Sequence, residues 1–176
     1  VLNQDQLIMA SGKLSPDSVQ RLNLEARNFR LESLNPVLNT ALGGTLNGKL
    51  SIRDVYQTPI VESELVVRAL SYDKTLIGDV RGRGEWDQTT QRLNVDANVS
   101  RSGTDILTLT GNYTPQQKTN PLALKATIND ADLKTLEPFT TGLFSNLGGT
   151  AAGTVAVSGT PSAPVLTGEV AVRGGR

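Results

Sequence analysis

Leu93-Asn94-Val95-Asp96-Ala97-Asn98-Val99-Ser100 alternates apolar and polar residues at every step. A period of two sends successive side chains to opposite faces of an extended chain, so this stretch predicts a strand with one dry and one wet face. The same alternation continues on both sides of it. It recurs at Leu22, Leu24 and Ala26, at Leu46, Leu50 and Ile52, at Leu65 and Val67, and at Leu107 and Leu109. Beyond those it returns at Leu122, Leu124, Ala126 and Ile128, at Val155 and Val157, and at Val170 and Val172. Turn-forming clusters separate the runs: Ser15-Pro16-Asp17, Asp87-Gln88-Thr89, Arg101-Ser102-Gly103, Thr114-Pro115-Gln116 and Asn120-Pro121. Strands roughly ten residues apart with short polar connections predict an all-β fold, a mainly antiparallel meander.

The chain also repeats itself. Leu34-Asn35-Pro36 returns as Leu136-Glu137-Pro138, with the prolines 102 positions apart. Gly48 and Gly153, Leu50 and Val155, Ile52 and Val157, Pro59 and Pro164, Leu65 and Val170, and Val67 and Val172 match at a constant spacing of 105. Fixed-spacing similarity of this kind implies stacked copies of one supersecondary unit. The expected organisation is one continuous segment over residues 1–176, with repeat blocks 29–67 and 131–172 and a strand meander 68–130 between them. Each repeat is expected to hold about nine strands plus one helix. Two segments interrupt the alternation, Asn35-Pro36 through Leu42 and Glu137-Pro138 through Leu147, and both predict short helices. Pro sits at the first helical position of each, and Gly-Gly follows the last turn. Phe139, Leu143, Phe144 and Leu147 share one face of the second helix. Each helix is expected to lead into a Gly-Gly-Thr hairpin.

Composition excludes several functions. Lys plus Arg is 17 and Asp plus Glu is 17, so the net charge is zero, and aromatics make up only 4%. A nucleic-acid binder needs a basic surface and stacking platforms, and neither is present. With no Cys and no His, the chain has no thiol nucleophile, no Ser-His-Asp triad and none of the common zinc ligand sets. No cofactor, no metal and no catalytic residue is expected, and an enzyme ranks last. No apolar run nears the ~20 residues of a membrane helix.

Other motifs dissolve on inspection. Gly43 to Lys49 satisfies Gly-x4-Gly-Lys, but Leu50 stands where Ser or Thr should follow, and the order is helix then strand. It is expected to be a hairpin signal. Arg81-Gly82-Arg83-Gly84 reads as the wet side of a bent strand. The acid pairs Glu85 with Asp87 and Asp130 with Asp132 read as solvated strand ends. Asn98-Val99-Ser100 and Asn112-Tyr113-Thr114 match glycosylation acceptors by chance, inside strands.

The apolar face is the candidate site. The inward positions are mostly Leu, Val and Ala, and Gly78, Gly82 and Gly84 punctuate the strand from Leu76 to Trp86, where glycine permits bending. A single sheet curled into a trough and a closed sandwich both satisfy the alternation.

The block Gly148 to Gly168, Gly-Gly-Thr-x-x-Gly-x-Val-x-Val-Ser-Gly-Thr-Pro-x-x-Pro-x-x-x-Gly, resembles the TamB family of the AsmA-like superfamily. Ser158-Gly159-Thr160-Pro161, Pro164, Gly168, Val170 and Val172 carry the likeness. The first copy departs from it, with Arg53-Asp54-Val55-Tyr56 for the Ser-Gly-Thr-Pro turn and Ser63 for the later Gly. The matched blocks cover about half of the chain. The resemblance implies an open β-taco groove, one section of a repetitive, solenoid-like sheet in the periplasm of a Gram-negative envelope, within an inner-membrane-anchored parent. It implies phospholipid acyl chains as cargo, passed between inner and outer membranes, and support of outer-membrane protein assembly. It also implies an outer-membrane Omp85-type (TamA-like) partner met through other parts of the parent, and contact with nascent outer-membrane proteins. Leu22, Leu24, Leu46, Leu50, Ile52, Leu65, Val67, Leu93, Val95, Ala97, Val99, Leu107, Leu109, Leu122, Leu124, Ala126, Ile128, Val155, Val157, Val170 and Val172 would line the groove. A chaperone for nascent strands and a ligand-free structural stalk are the competing readings. Unpaired end strands would invite end-to-end self-association.

Overall fold

Ten strands follow one another in chain order and pair in that same order, forming one open antiparallel sheet. They are β1 (Leu7–Lys13), β2 (Arg21–Arg30), β3 (Leu42–Arg53), β4 (Ile60–Tyr72), β5 (Thr75–Asp87), β6 (Arg92–Arg101), β7 (Thr104–Tyr113), β8 (Leu122–Asp132), β9 (Thr150–Thr160) and β10 (Ala163–Arg173). A 3-10 turn (Leu31–Leu34) and a short helix α1 (Asn35–Leu38) join β2 to β3, and a short helix α2 (Leu133–Leu136) follows β8. This computed structural model describes residues 6–13, 21–38, 40–54, 60–136 and 148–174. The Ser15-Pro16-Asp17 turn, Val55, Tyr56, Pro59 and the expected helix face of Phe139, Leu143, Phe144 and Leu147 lie outside the described residues.

Register puts one set of side chains on each face, because residues directly opposite each other across an antiparallel pair point the same way. One ladder row reads Ala26, Gly48, Leu65, Gly82, Ala97, Leu109, Ala126, Val155, Gly168. The adjoining row on the opposite face reads Glu25, Lys49, Glu64, Arg83, Asp96. Its charges alternate in sign from strand to strand, so every acid in it faces a base. A one-residue slip of any strand would invert its faces, so apolar and charged rows pin the same register.

Bulges gather at one end of the sheet, the end that also carries the 3-10 turn and both helices. Arg27 and Asn28 stand against Asn47, Arg68 and Ala69 stand against Asp79, and Asn129 and Asp130 stand against Ala152. The second residue of each pair has positive φ: Asn28 at 49°, Ala69 at 50° and Asp130 at 43°. A bulge leaves an amide without its ladder partner. Asn28 donates its N–H to Asn47 Oδ1 at 2.9 Å, and Ala69 donates to Asp79 Oδ1 at 2.8 Å. In both, the single residue opposite supplies the missing acceptor. Ile77 and Ile106 are further inserted residues at the same end.

Most of the buried side chains lie there too, Leu31, Ile77, Ile106, Ala131, Leu133, Thr135 and Ala151, while Trp86 and Pro121 are buried at the far end. α2 packs against β5 although β6 and β7 separate it from β8, so it crosses the ends of those two strands. Arg101, closing β6, donates to Thr135 Oγ1 at 2.6 Å.

Three sequence expectations change. The first helix occupies 31–38, as a 3-10 turn and α1, instead of 35–42. Asn35 explains why it stops: its amide donates to the Leu42 carbonyl and its Oδ1 accepts from the Leu42 N–H, both at 2.9 Å, so one side chain imitates a strand partner and starts β3. Gly43-Gly44-Thr45 is the opening of β3, not a hairpin. Gly44 has φ 124°, and a Cβ there would lie 2.9 Å from the Arg68 carbonyl oxygen. Finally, equivalent positions lie six strands apart, not nine. Leu24 opposite Leu50 corresponds to Ala126 opposite Val155, displaced by 102 before the helix and 105 after it. Leu65 opposite Gly48 likewise corresponds to Val170 opposite Gly153.

Candidate functional site

Every residue expected to line a groove lies on the same face of the sheet. The rows run from Leu22 opposite Ile52, through Leu93 opposite Tyr113 and Val99 opposite Leu107, to Val157 opposite Leu166. The register adds residues that the sequence reading did not name: Ile8, Ala10, Phe29, Val61, Val80, Trp86, Tyr113 and Leu166. A signal for some of them was present, since Val80, Gly82, Gly84 and Trp86 keep period two. Phe29 was hidden because the bulge at Arg27 and Asn28 shifts its parity.

This face is half covered along the middle strands: Leu24, Leu50, Leu65, Val95, Leu109 and Leu124 are all of intermediate exposure. Neighbouring apolar side chains shield one another, and among the described residues no second sheet packs on them. The end strands are barer, with Ile8 51%, Leu166 67% and Val172 53% exposed. Contiguous apolar surface across ten strands is far more than scattered surface hydrophobes, and such a surface normally meets a partner or an apolar ligand.

Glycines on this face differ in purpose. At Gly48 and Gly111 a Cβ would sit 2.2 Å from the carbonyl oxygen of Glu64 and Ala123, with φ 146° and 141°. Those positions need glycine for backbone approach. At Gly82 a Cβ would meet nothing within 4 Å.

The opposite face carries a recess of about 970 Å³ over β1 to β5. It is lined by two successive polar rows, Met9, Glu25, Lys49, Glu64, Arg83 and Ser11, Asn23, Ser51, Glu62, Glu85. The row between them and Ile8 contribute, but the apolar-face residues Leu22, Ile52, Leu65 and Trp86 do not, which puts most of the recess on the charged side. The charged face is therefore concave over these strands. A strongly twisted sheet is saddle-shaped and can be concave on both faces along different diagonals. Glu62 directly opposes Glu85. Arg53 relieves the first at 2.7 Å and Arg83 the second at 3.0 Å. The recess therefore carries charges of both signs, with Glu62 and Glu85 each held by an arginine, beside the apolar side chains of Ile8, Met9, Leu24 and Leu50.

Among the described residues no group of three or more acids is placed to hold a metal ion. No described helix is long and apolar enough to cross a membrane. Asp87 is the one described group whose ionisation is clearly perturbed. The Thr90 hydroxyl, then the backbone N–H groups of Thr90 and Thr89, hold its carboxyl below the ordinary value. That is a turn cap between β5 and β6, far from any catalytic arrangement. Compared with family models, curated proteins and solved structures, the chain matches none.

Proposed function

We propose that this chain is a groove segment of a TamB-like bridge, a repetitive, taco-shaped sheet that shelters phospholipid acyl chains on their way between the inner and outer membranes. The supporting observation is the largely apolar face of an open ten-strand sheet whose other face carries charges alternating in sign from β2 to β6. Exposing an acyl chain to water costs ~0.8 kcal/mol per CH₂, so a sixteen-carbon tail needs shelter worth roughly 12 kcal/mol. A wall of Leu, Val and Ala open on one side covers much of a tail while the headgroup stays wet. In this reading the segment works in the periplasm, binds rather than catalyses, and belongs to an inner-membrane-anchored parent that meets an Omp85-type partner elsewhere along its length.

Photocrosslinking residues placed singly at Val95, Leu109 or Leu124 are expected to capture phospholipid in cells. Those at Asn94, Asp96 or Asn98 are expected not to. Equal labelling of both faces, or none on either, would sink the proposal. Organic extraction of the purified chain, with mass spectrometry of the extract, provides an independent reading. The outer edges of β1 and β10, which pair with no strand among the described residues, favour a second reading, in which nascent outer-membrane strands are held by edge pairing. Crosslinks landing on polypeptide in place of lipid would select it.

A further inference from the structure

Lys13, Arg21 and Arg53 stand directly opposite one another on β1, β2 and β3, in the last ladder row at the end of the sheet away from the helices. By register they share the charged face with Met9, Glu25 and Lys49. Like charges in one row, with Cβ atoms about 5 Å apart, repel each other and weaken strand pairing. Arg53 is relieved by Glu62 at 2.7 Å. Among the described residues Lys13 and Arg21 make no ion pair, and Asp54, next to Arg53, makes none with any of the three.

The fold itself does not require these charges, as the internal repeat demonstrates. β1 pairs with β2 through Gly12 opposite Leu22, and β7 pairs with β8 through Gly111 opposite Leu124. Together with the correspondence of Leu24 and Leu50 to Ala126 and Val155, this sets Asn112, Ala123 and Ser158 in the places of Lys13, Arg21 and Arg53. The second unit builds the same row without a charge in it. Three cations gathered where the repeat has none, against their own repulsion, are accounted for by an anion that binds among them.

We propose that Lys13, Arg21 and Arg53 hold the phosphate of a phospholipid headgroup. Guanidinium groups match phosphate oxygens two at a time, and the lysine adds a point charge. Ser11, Asn23 and Ser51, the next row inward on the same face, offer neutral donors. Across the backbone the neighbouring row is Gly12, Leu22, Ile52 and Val61, on the apolar face. These strand ends therefore present cations on one side and hydrocarbon on the other, the polarity of a headgroup beside its tails, and that favours a lipid phosphate over a free one. The assignment rests on the lipid reading above and adds a headgroup contact to it.

The second unit also supplies the test, since Lys13→Asn with Arg21→Ala installs its residues. In co-sedimentation with phosphatidylglycerol vesicles the double variant is expected to bind roughly 30-fold more weakly than the native chain, about fivefold per cation. Its urea midpoint is expected to stay or rise, because repulsion has been removed. Equal binding by the two forms, or none by either, would overturn the site. So would a lower midpoint, which would mean that the cations serve the fold. Inorganic phosphate titrated in place of vesicles is expected to give no saturable binding; saturation that the double variant loses would assign the row to free phosphate and sink the headgroup assignment. Phospholipid capture at Val95 reports on the opposite face, so the groove and this row can fail separately.

Discussion

Arg101 and Thr135, 34 positions apart in sequence, meet at 2.6 Å, the guanidinium donating to the hydroxyl of a residue that is only 2% exposed. This bond ties the last residue of β6 to α2 and holds the helix across the strand ends. A bond to a charged donor contributes roughly 1.5 kcal/mol or more. Thr135→Val keeps the shape and removes the acceptor, so urea melts are expected to show a loss of about that size. An unchanged midpoint would mean that α2 is held by packing alone.

The two faces and the two ends answer differently to charge. Val95→Glu and Leu109→Glu fall on a half-covered surface and are expected to leave the circular dichroism of the sheet intact while lipid capture disappears. Ala151→Glu falls where exposure is 0%, beside Ala131, and burying an unpaired carboxylate there is expected to unfold the bulged end at a cost of several kcal/mol. If Val95→Glu collapsed the fold as well, the apolar face would be a sealed core.

Glycines 82 and 111 make a matched pair of tests. Gly82→Val adds a β-branched side chain into open space and is expected to raise stability by up to about 1 kcal/mol. Gly111→Val forces a Cβ against the Ala123 carbonyl at positive φ and is expected to destabilise by more than that gain. Thermal melts of the two variants should move in opposite directions.

Asp87 predicts an acid sensitivity confined to one turn. Its folded carboxyl ionises more easily than the unfolded one, so its contribution is complete above the ordinary carboxylate range and fades as pH falls through the depressed value. Protection of the Thr89 and Thr90 amides, measured against the intrinsic exchange rate at each pH, is expected to fall over that acid window. Asp87→Asn should remove the dependence, and a protection factor constant with pH in the native chain would contradict the cap.

Much of the sheet was legible before any coordinates. At Leu93 to Ser100 the alternation decides which side chains are dry, and Gly48 and Gly153, matched in sequence, face Leu65 and Val170 in the same way. The first helix was mislaid because its stop depends on Asn35 reaching Leu42, a contact made only when the chain turns back. Phe29 was missed because a bulge resets parity, and a bulge reflects what the neighbouring strand supplies, such as Asn47 Oδ1.

Sequence alone determined the two faces, since period two is a local property of extended backbone and needs no partner. Tertiary structure alone decided that equivalent strands lie six apart, that every bulge falls at one end, that α2 reaches over to β5, and that charged rows enclose a recess. Those features come from pairing and twist between strands distant in the chain, and no single stretch of residues encodes them.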